Sequence, residues 1–225
     1  MKGQASLMVV HYDRKDPHFK DFVTKAVEST KEHKKGQRFF TYVPLHGPSD
    51  VAYVWFPHKS HAELHGDKQT SAMSQKHGEA KTASAAQKAK GGVKGLGSEL
   101  MHTVAEAGKA NGPKPYVMAY GIKVDAEKND SFRGAAKEFM EANRKSKNPM
   151  RITVHRPASG QLNNYLVLIG ADDLAEFDPD GKHNDSRLAA AIGPENAADV
   201  ARNLKEGAAF VWRQPLRYVA AYSNP

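Results

Sequence analysis

"PYVMAYGIKVDAEKNDSFRGAAKEFMEANRKSKNPMRITVHRPASGQLNNYLVLIG" fills residues 115–170, and its reading decides how the rest of the chain is read. "PYVMAYGIKV" (115–124) is apolar and reads as a strand. "DSFRGAAKEFMEANRKSK" (130–147) repeats apolar residues at helical spacing, with Phe132, Ala135, Ala136, Phe139 and Met140 on one face. Asp130 or Ser131 can cap that helix. "MRITVHRP" (150–157) and "YLVLIG" (165–170) flank the turn "ASGQLNN" (158–164) and complete a strand, turn and strand.

The same order occurs earlier, displaced by roughly 112 residues. "LMVVHY" (7–12) reads as a strand, and residues 16–36 as a helix with Phe19, Phe22, Val23, Ala26 and Val27 at helical spacing and Gly36 as its stop. "RFFTYVPL" (38–45), "HGPSD" (46–50) and "VAYVWF" (51–56) read as a hairpin. Phe19 aligns with Phe132, "FTYV" (40–43) with "ITVH" (152–155), and "SHAELH" (60–65) with "DLAEFD" (173–178). Each copy continues into a further helix. In the second it is "PENAADVARNLKEG" (194–207), with Pro194 near its start and Gly207 as its stop. "AFVWRQPLRYVAAYS" (209–223) follows as a strand that Pro215 should interrupt or place at an edge. The first copy departs from this pattern. "SELMHTVAEAGKA" (98–110) is predicted as a helix with no separate fourth strand behind it, so that strand is lost or one long strand serves both copies.

The order β-α-β-β-α-β is the split βαβ, or ferredoxin-like, unit, which leaves one sheet face without helices. A second copy can cover that face. On the element order and on the stretches "NNYLVLIGADDLAEFD" and "AAAIGPENAADVARNLKEGAAFVWRQPLRYVAAYS", the chain resembles the dimeric α/β-barrel superfamily. That group includes the antibiotic-biosynthesis-monooxygenase-like, NIPSNAP-like and chlorite-dismutase proteins. The resemblance implies an α+β protein of two tandem ferredoxin-like modules packed sheet to sheet as an α/β barrel. The expected boundaries are 1–114 and 115–225, with an insert near 66–97.

Composition excludes several chemistries. The 225 residues contain no cysteine, so disulfides, thiolate catalysis and iron–sulfur clusters are ruled out. The net charge of +8 favours anionic partners and also simply aids solubility. No apolar run is long enough to span a membrane, and "MKGQASLMVV" is not an intact signal peptide. The expected setting is cytoplasmic, or exported in a mature form. The segment 66–97 is rich in Ala, Lys, Ser and Gly and carries Lys68, Lys76, Lys81, Lys88, Lys90 and Lys94. It is expected to be a solvated helix and mobile loop that buries little surface, either as a plain insert or as a basic flap.

"FPHKSHAELHG" (56–66) holds His58, His61 and His65. A helix starting at Pro57 would place them within roughly 60° of one another, so one ion could take His58 with His61 or His61 with His65. A further ligand would come from His46, His11 or His77. The second copy has Ala171, Leu174 and Asp178 at the matching positions, so such a site would belong to the first alone. The other reading is an exposed helix with histidines that titrate near neutrality.

What the resemblance implies about chemistry follows from its members. In haem-binding relatives a histidine near the mouth of the second module's barrel ligates iron; His155 and His183 are the second-module histidines here. Cofactor-free oxygenase relatives use an apolar cavity with a few polar groups that orient an activatable aromatic substrate. The matching candidates are Tyr42, Tyr53, Trp55, Tyr120, His155, Tyr165, Trp212 and Tyr218, of which strand alternation lets about half face any one cavity. Ordinary core packing is the other reading of each. No nucleophile elbow, P-loop or dinucleotide fingerprint is present, and "GGVKGLG" (91–97) lacks the ending of a phosphate loop.

The sequence thus supports a non-catalytic binding or structural protein that takes an anionic or small apolar ligand. The alternative is a cofactor-free or haem- or metal-dependent monooxygenase-like enzyme acting on a small molecule. No cofactor is expected under the first reading; haem or a divalent metal belongs to the second. No nucleic-acid partner is expected, and open sheet edges permit self-association.

Overall fold

The computed structural model describes residues 4–12, 16–33, 38–47, 50–58, 68–90, 93–108, 112–146, 149–158, 163–177 and 189–223. The strands are β1 (Gln4–Tyr12), β2 (Phe40–Pro44), β3 (Val51–His58), β4 (Val93–Ala107), β5 (Tyr116–Val124), β6 (Arg151–Pro157), β7 (Asn164–Ala171) and β8 (Ala208–Tyr218). The helices are α1 (Pro17–His33), α2 (Lys68–His77), α3 (Glu79–Ala89), α4 (Asn129–Lys145) and α5 (Pro194–Gly207). The protein is α+β, with curled antiparallel sheet and helices. None of the described helices is long and apolar enough to cross a membrane.

The chain divides into an N-terminal unit, Gly3–Leu100 with Arg217–Pro225, and a C-terminal unit built on Met101–Leu216. In the C-terminal unit the strands lie in the order β8–β5–β7–β6, and the end of β4 pairs with β6. Helix α4 covers one face because its apolar positions fall on one side: Phe132, Ala135, Met140 and Ala142 are buried. Asp130 in its first turn and Arg144 and Lys145 in its last oppose the helix dipole. Phe132 and Met140 pack on Ile122 and Val124 of β5, Ile152 and Val154 of β6 and Tyr165 of β7. Each such large apolar side chain contributes about 1.5–3 kcal/mol when fully buried. Helix α5 adds Ala197 and Val200 against Ala142, and Gly207 at its end lets Phe132 approach closely. The end of α4 is tied down by Asn143, whose Nδ2 donates to the Met150 carbonyl (2.8 Å) while its Oδ1 accepts from the Met150 N–H (2.9 Å).

In the N-terminal unit the order is β4–β1–β3–β2. Its core joins Val43 and Ala52 to Phe19 of α1, Val54, Val219 and Tyr222. Residues 217–223 return to this unit from the far end of the chain. The Val219 N–H donates to the Thr41 carbonyl (2.9 Å), and the Thr41 N–H donates to Ser223 Oγ (2.8 Å). The Thr41 hydroxyl donates to the Tyr222 carbonyl, and the Tyr222 ring packs edge-on to Phe19 at 6.0 Å.

Four expectations about local structure are corrected. Residues 98–110 do not form a helix: β4 runs from Val93 to Ala107 as a fourth strand of 15 residues. The apolar spacing of Leu100, Met101, Val104, Ala105 and Ala107 suits either period, and pairing with β6 from Met101↔Pro157 to Ala107↔Ile152 selects the strand. Gly108, at φ +81°, ends it against the Met150 carbonyl, where a Cβ would clash. Nor does a helix begin at Pro57, because β3 continues through Pro57 to His58, opposite Ala5 and Gln4 of β1. The β2 register with β3 stops at Phe40↔Trp55, so Pro57 withholds no N–H from a second neighbour. Pro215 does not interrupt β8, which continues to Tyr218 before a short 3-10 turn at Ala220–Tyr222.

The fourth correction concerns the basic segment. Helices α2 and α3 fill 68–89 and bury Ala72, Met73, Thr82, Ala85 and Ala89, with Met73 at 0% exposure. Small residues here let helix backbones approach closely, which composition alone misreads as an inability to pack. Gln69 fastens α2 to α1: its Nε2 donates to the Ala26 carbonyl (2.8 Å), and its Oε1 accepts from the Thr30 hydroxyl (3.1 Å). Gln69→Ala is expected to lower thermal unfolding stability by about 1–2 kcal/mol and to speed proteolytic cleavage within 68–89. Unchanged stability and cleavage would mean that α2 is not docked.

Candidate functional site

In the N-terminal unit strand alternation sorts the aromatic candidates. Val43, Ala52 and Val54 face the helix-side core, so Phe40 and Tyr42 on β2 and Tyr53 and Trp55 on β3 lie on the face without helices. The register sets Phe40 directly opposite Trp55 and Tyr42 directly opposite Tyr53. Tyr218 joins them, its ring 5.5 Å from Tyr42 and tilted by 54°. Phe40, Tyr42, Tyr53, Trp55 and Tyr218 are all half-buried. At the start of β2 the Arg38 guanidinium sits 5.8 Å over the Phe40 ring. Burial pushes the Tyr53 phenol above its ordinary value of 10.0, so this hydroxyl keeps its proton and stays a hydrogen-bond donor.

In the C-terminal unit the corresponding face carries His155 and Trp212. The register aligns Thr103 (β4), His155 (β6), Leu166 (β7) and Gly121 (β5) in one cross-strand row. His155 is 3% exposed, and its Nδ1 lies 3.2 Å from the Thr103 hydroxyl. A bulge between Thr103 and Ala105 turns β4 at this point, a common way to re-aim a side chain. Burial pulls the His155 imidazole down to about 3, so it is neutral across the physiological range. At the row's other end a Cβ on Gly121 would fall 2.3 Å from the Trp212 indole nitrogen, so the indole lies flat on the glycine. Trp212 is itself 40% exposed.

Tyr120 and Tyr165 face the opposite way, into the helix-side core. The Tyr165 ring lies 5.6 Å from Phe132 and its hydroxyl donates to Asn129 Oδ1 (3.1 Å). Burial raises the Tyr120 phenol, and the Arg213 guanidinium partly offsets this. The eight candidates therefore fall in three places: four on the N-terminal unit's aromatic face, two on the C-terminal unit's helix-free face and two behind its sheet.

His58 is buried at the end of β3, His46 is exposed in the turn after β2, and the register pairs His11 with Val51. His61 and His65 lie outside the described residues. Among the described residues no set of three His, Asp or Glu is placed to hold a metal. Haem iron needs an imidazole nitrogen open to a cavity wide enough for a planar macrocycle. The His155 Nε2 is buried, and Leu166, directly opposite on β7, is buried as well. His183 lies outside the described residues.

Sequence reasoning missed Arg38, Phe40 and Thr103. The alternation Arg38, Phe40, Tyr42 within "RFFTY" carried the signal for the first two. Thr103 stood inside a stretch read as helix, so its meeting with His155 was invisible.

No family model and no curated relative matches the chain. It is similar over nearly its whole length to solved structures. One is a candidate monooxygenase from Fusobacterium nucleatum, at TM-score 0.61 and 11% identity, covering 96% of this chain and 92% of that one. Another is a candidate chlorite dismutase, at TM-score 0.58 and 12% identity, covering 99% and 97%. A third is an anthrone oxidase-like protein, at TM-score 0.52 and 12% identity, covering 97% and 92%. This chain therefore shares with chlorite-dismutase-like and monooxygenase-like proteins an α+β, ferredoxin-like fold.

Proposed function

We propose that this protein is a small-molecule enzyme of the monooxygenase-like kind, acting on a planar aromatic substrate held against the aromatic face of the N-terminal unit. The observation that carries the reading is the set of half-buried aromatic residues Phe40, Tyr42, Tyr53, Trp55 and Tyr218 on a sheet face free of helices. An apolar wall with a few hydroxyl donors is the usual make-up of a small-molecule site. The shared fold with proteins named for monooxygenase and anthrone oxidase activity supports an enzyme over a binder without catalysis. The chain is further proposed to be a tandem of modules 1–114 and 115–225. The strand order fourth, first, third, second in each unit supports this.

The chemistry suited to such a face needs no redox group of its own. A substrate with an acidic C–H loses a proton, and the resulting enolate supplies electrons to dioxygen. One oxygen atom enters the substrate as a carbonyl, and the other leaves as water with the two hydrogens of the oxidised carbon. The rings position the substrate and exclude water from it. The Tyr53 hydroxyl donates to the oxygen on which negative charge develops.

Chelator-treated protein is expected to accelerate dioxygen uptake with anthrone as the probe, consuming one O2 per anthrone and forming anthraquinone and water. Tyr53→Phe is expected to slow it by about 10²-fold. Uptake no faster than the uncatalysed reaction, with anthrone still bound, leaves the non-catalytic binding protein as the correct reading.

A further inference from the structure

We infer that the aromatic face of the N-terminal unit selects a planar aromatic carboxylate, with Arg38 holding the carboxylate; this rests on the reading of that face as the substrate site. Arg38 lies two residues before Phe40, the first residue of β2, and its guanidinium lies over the Phe40 ring at 5.8 Å. At 5.8 Å the guanidinium is within cation–π reach of the ring, and a guanidinium can take a carboxylate through two parallel N–H groups. Arg38 is exposed, and among the described residues no carboxylate pairs with it. Its charge is therefore available to an incoming anion.

The floor beside it has a definite size. Tyr218, Tyr42 and Tyr53 stand side by side on three strands, and Phe40 and Trp55 form a second row. Three strands at roughly 4.8 Å span about 10 Å, and two residues along a strand span about 7 Å. Those dimensions suit one or two fused rings. A carboxylate on the ring edge nearest Arg38 would meet the cation while the ring lay on the aromatic floor. A neutral aromatic of the same shape gains only the floor. The chain's net charge of +8 adds a long-range attraction of the same sign.

Calorimetric titration of the full chain with 2-naphthoate and with neutral 2-naphthamide tests this. Naphthoate is expected to bind on the order of tenfold tighter, with the advantage shrinking at high salt. Arg38→Gln should abolish the difference while leaving the amide's affinity unchanged, and Arg38→Lys should restore part of it. Equal affinity for both compounds in the wild type overturns the carboxylate assignment and leaves the aromatic site standing. An Arg38→Gln variant that loses both equally also overturns it, because Arg38 then only builds the floor. Binding of neither compound overturns the assignment and the aromatic site together. Selective naphthoate binding without anthrone oxidation keeps the assignment and removes the enzyme reading.

Discussion

Acidification from pH 6.5 to about 4 is expected to remove about 3 kcal/mol of folding stability through His155 alone. The native imidazole, buried beside Thr103, is pulled down to about 3 from an ordinary value of 6.5. Between those values the unfolded chain binds a proton at this position and the folded chain does not. Stability therefore falls as pH falls, by about 1.4 kcal/mol per pH unit, from near 6.5 until the native imidazole also protonates near 3. Above 6.5 the position is neutral in both states and adds no slope. Carboxylates bring their own pH dependence, so the measurement is differential. Urea unfolding of wild type and His155→Leu at neutral pH and at about pH 4 should show the variant losing less stability on acidification by roughly this amount. Parallel losses in the two proteins would refute a buried neutral histidine.

Asn143→Leu is expected to cost about 2–6 kcal/mol, the second large effect. Asn143 is 5% exposed and makes two hydrogen bonds to the backbone of Met150, one to each peptide group. Leucine has a similar volume but leaves the Met150 N–H and C=O buried and unsatisfied. Each orphaned group costs about 1–3 kcal/mol. The site also sets the entry to β6, because Gly108 abuts the Met150 carbonyl and Arg151 from the other side. A loss below about 1 kcal/mol in urea unfolding would show that water or backbone movement replaces the amide.

The elements legible in the sequence are those in which local pattern and tertiary setting agree. "PENAADVARNLKEG" carries its own start in Pro194 and its own stop in Gly207, and α5 spans those residues. Helix α4 and strands β5, β6 and β7 were likewise marked by one period bounded by turn residues. Strand β4 was not, because its apolar positions satisfy two periods at once and its partner β6 lies far along the chain. Helices α2 and α3 pack through alanine and one methionine, residues that composition ranks as weak core formers. At the candidate site, alternation alone puts Tyr53 and Trp55 on one face of β3, but that Tyr42 shares this face needed the Tyr42↔Tyr53 register. The contribution of Tyr218 was not legible, since its ring meets Tyr42 across 176 positions of chain. Tyr120 and Tyr165 needed the register itself to show that they lie behind the sheet.

The seam between β2 and residues 219–223 bears on how the protein matures in the cell. Thr41 is made well before the Tyr222 carbonyl and the Ser223 hydroxyl that satisfy it, which lie 181 and 182 residues further along the chain. A ribosome delivers the chain in one direction, so the half made first is the half that must wait. Until residue 223 clears the exit tunnel, β2 exposes an unfinished edge to chaperones and to neighbouring nascent chains.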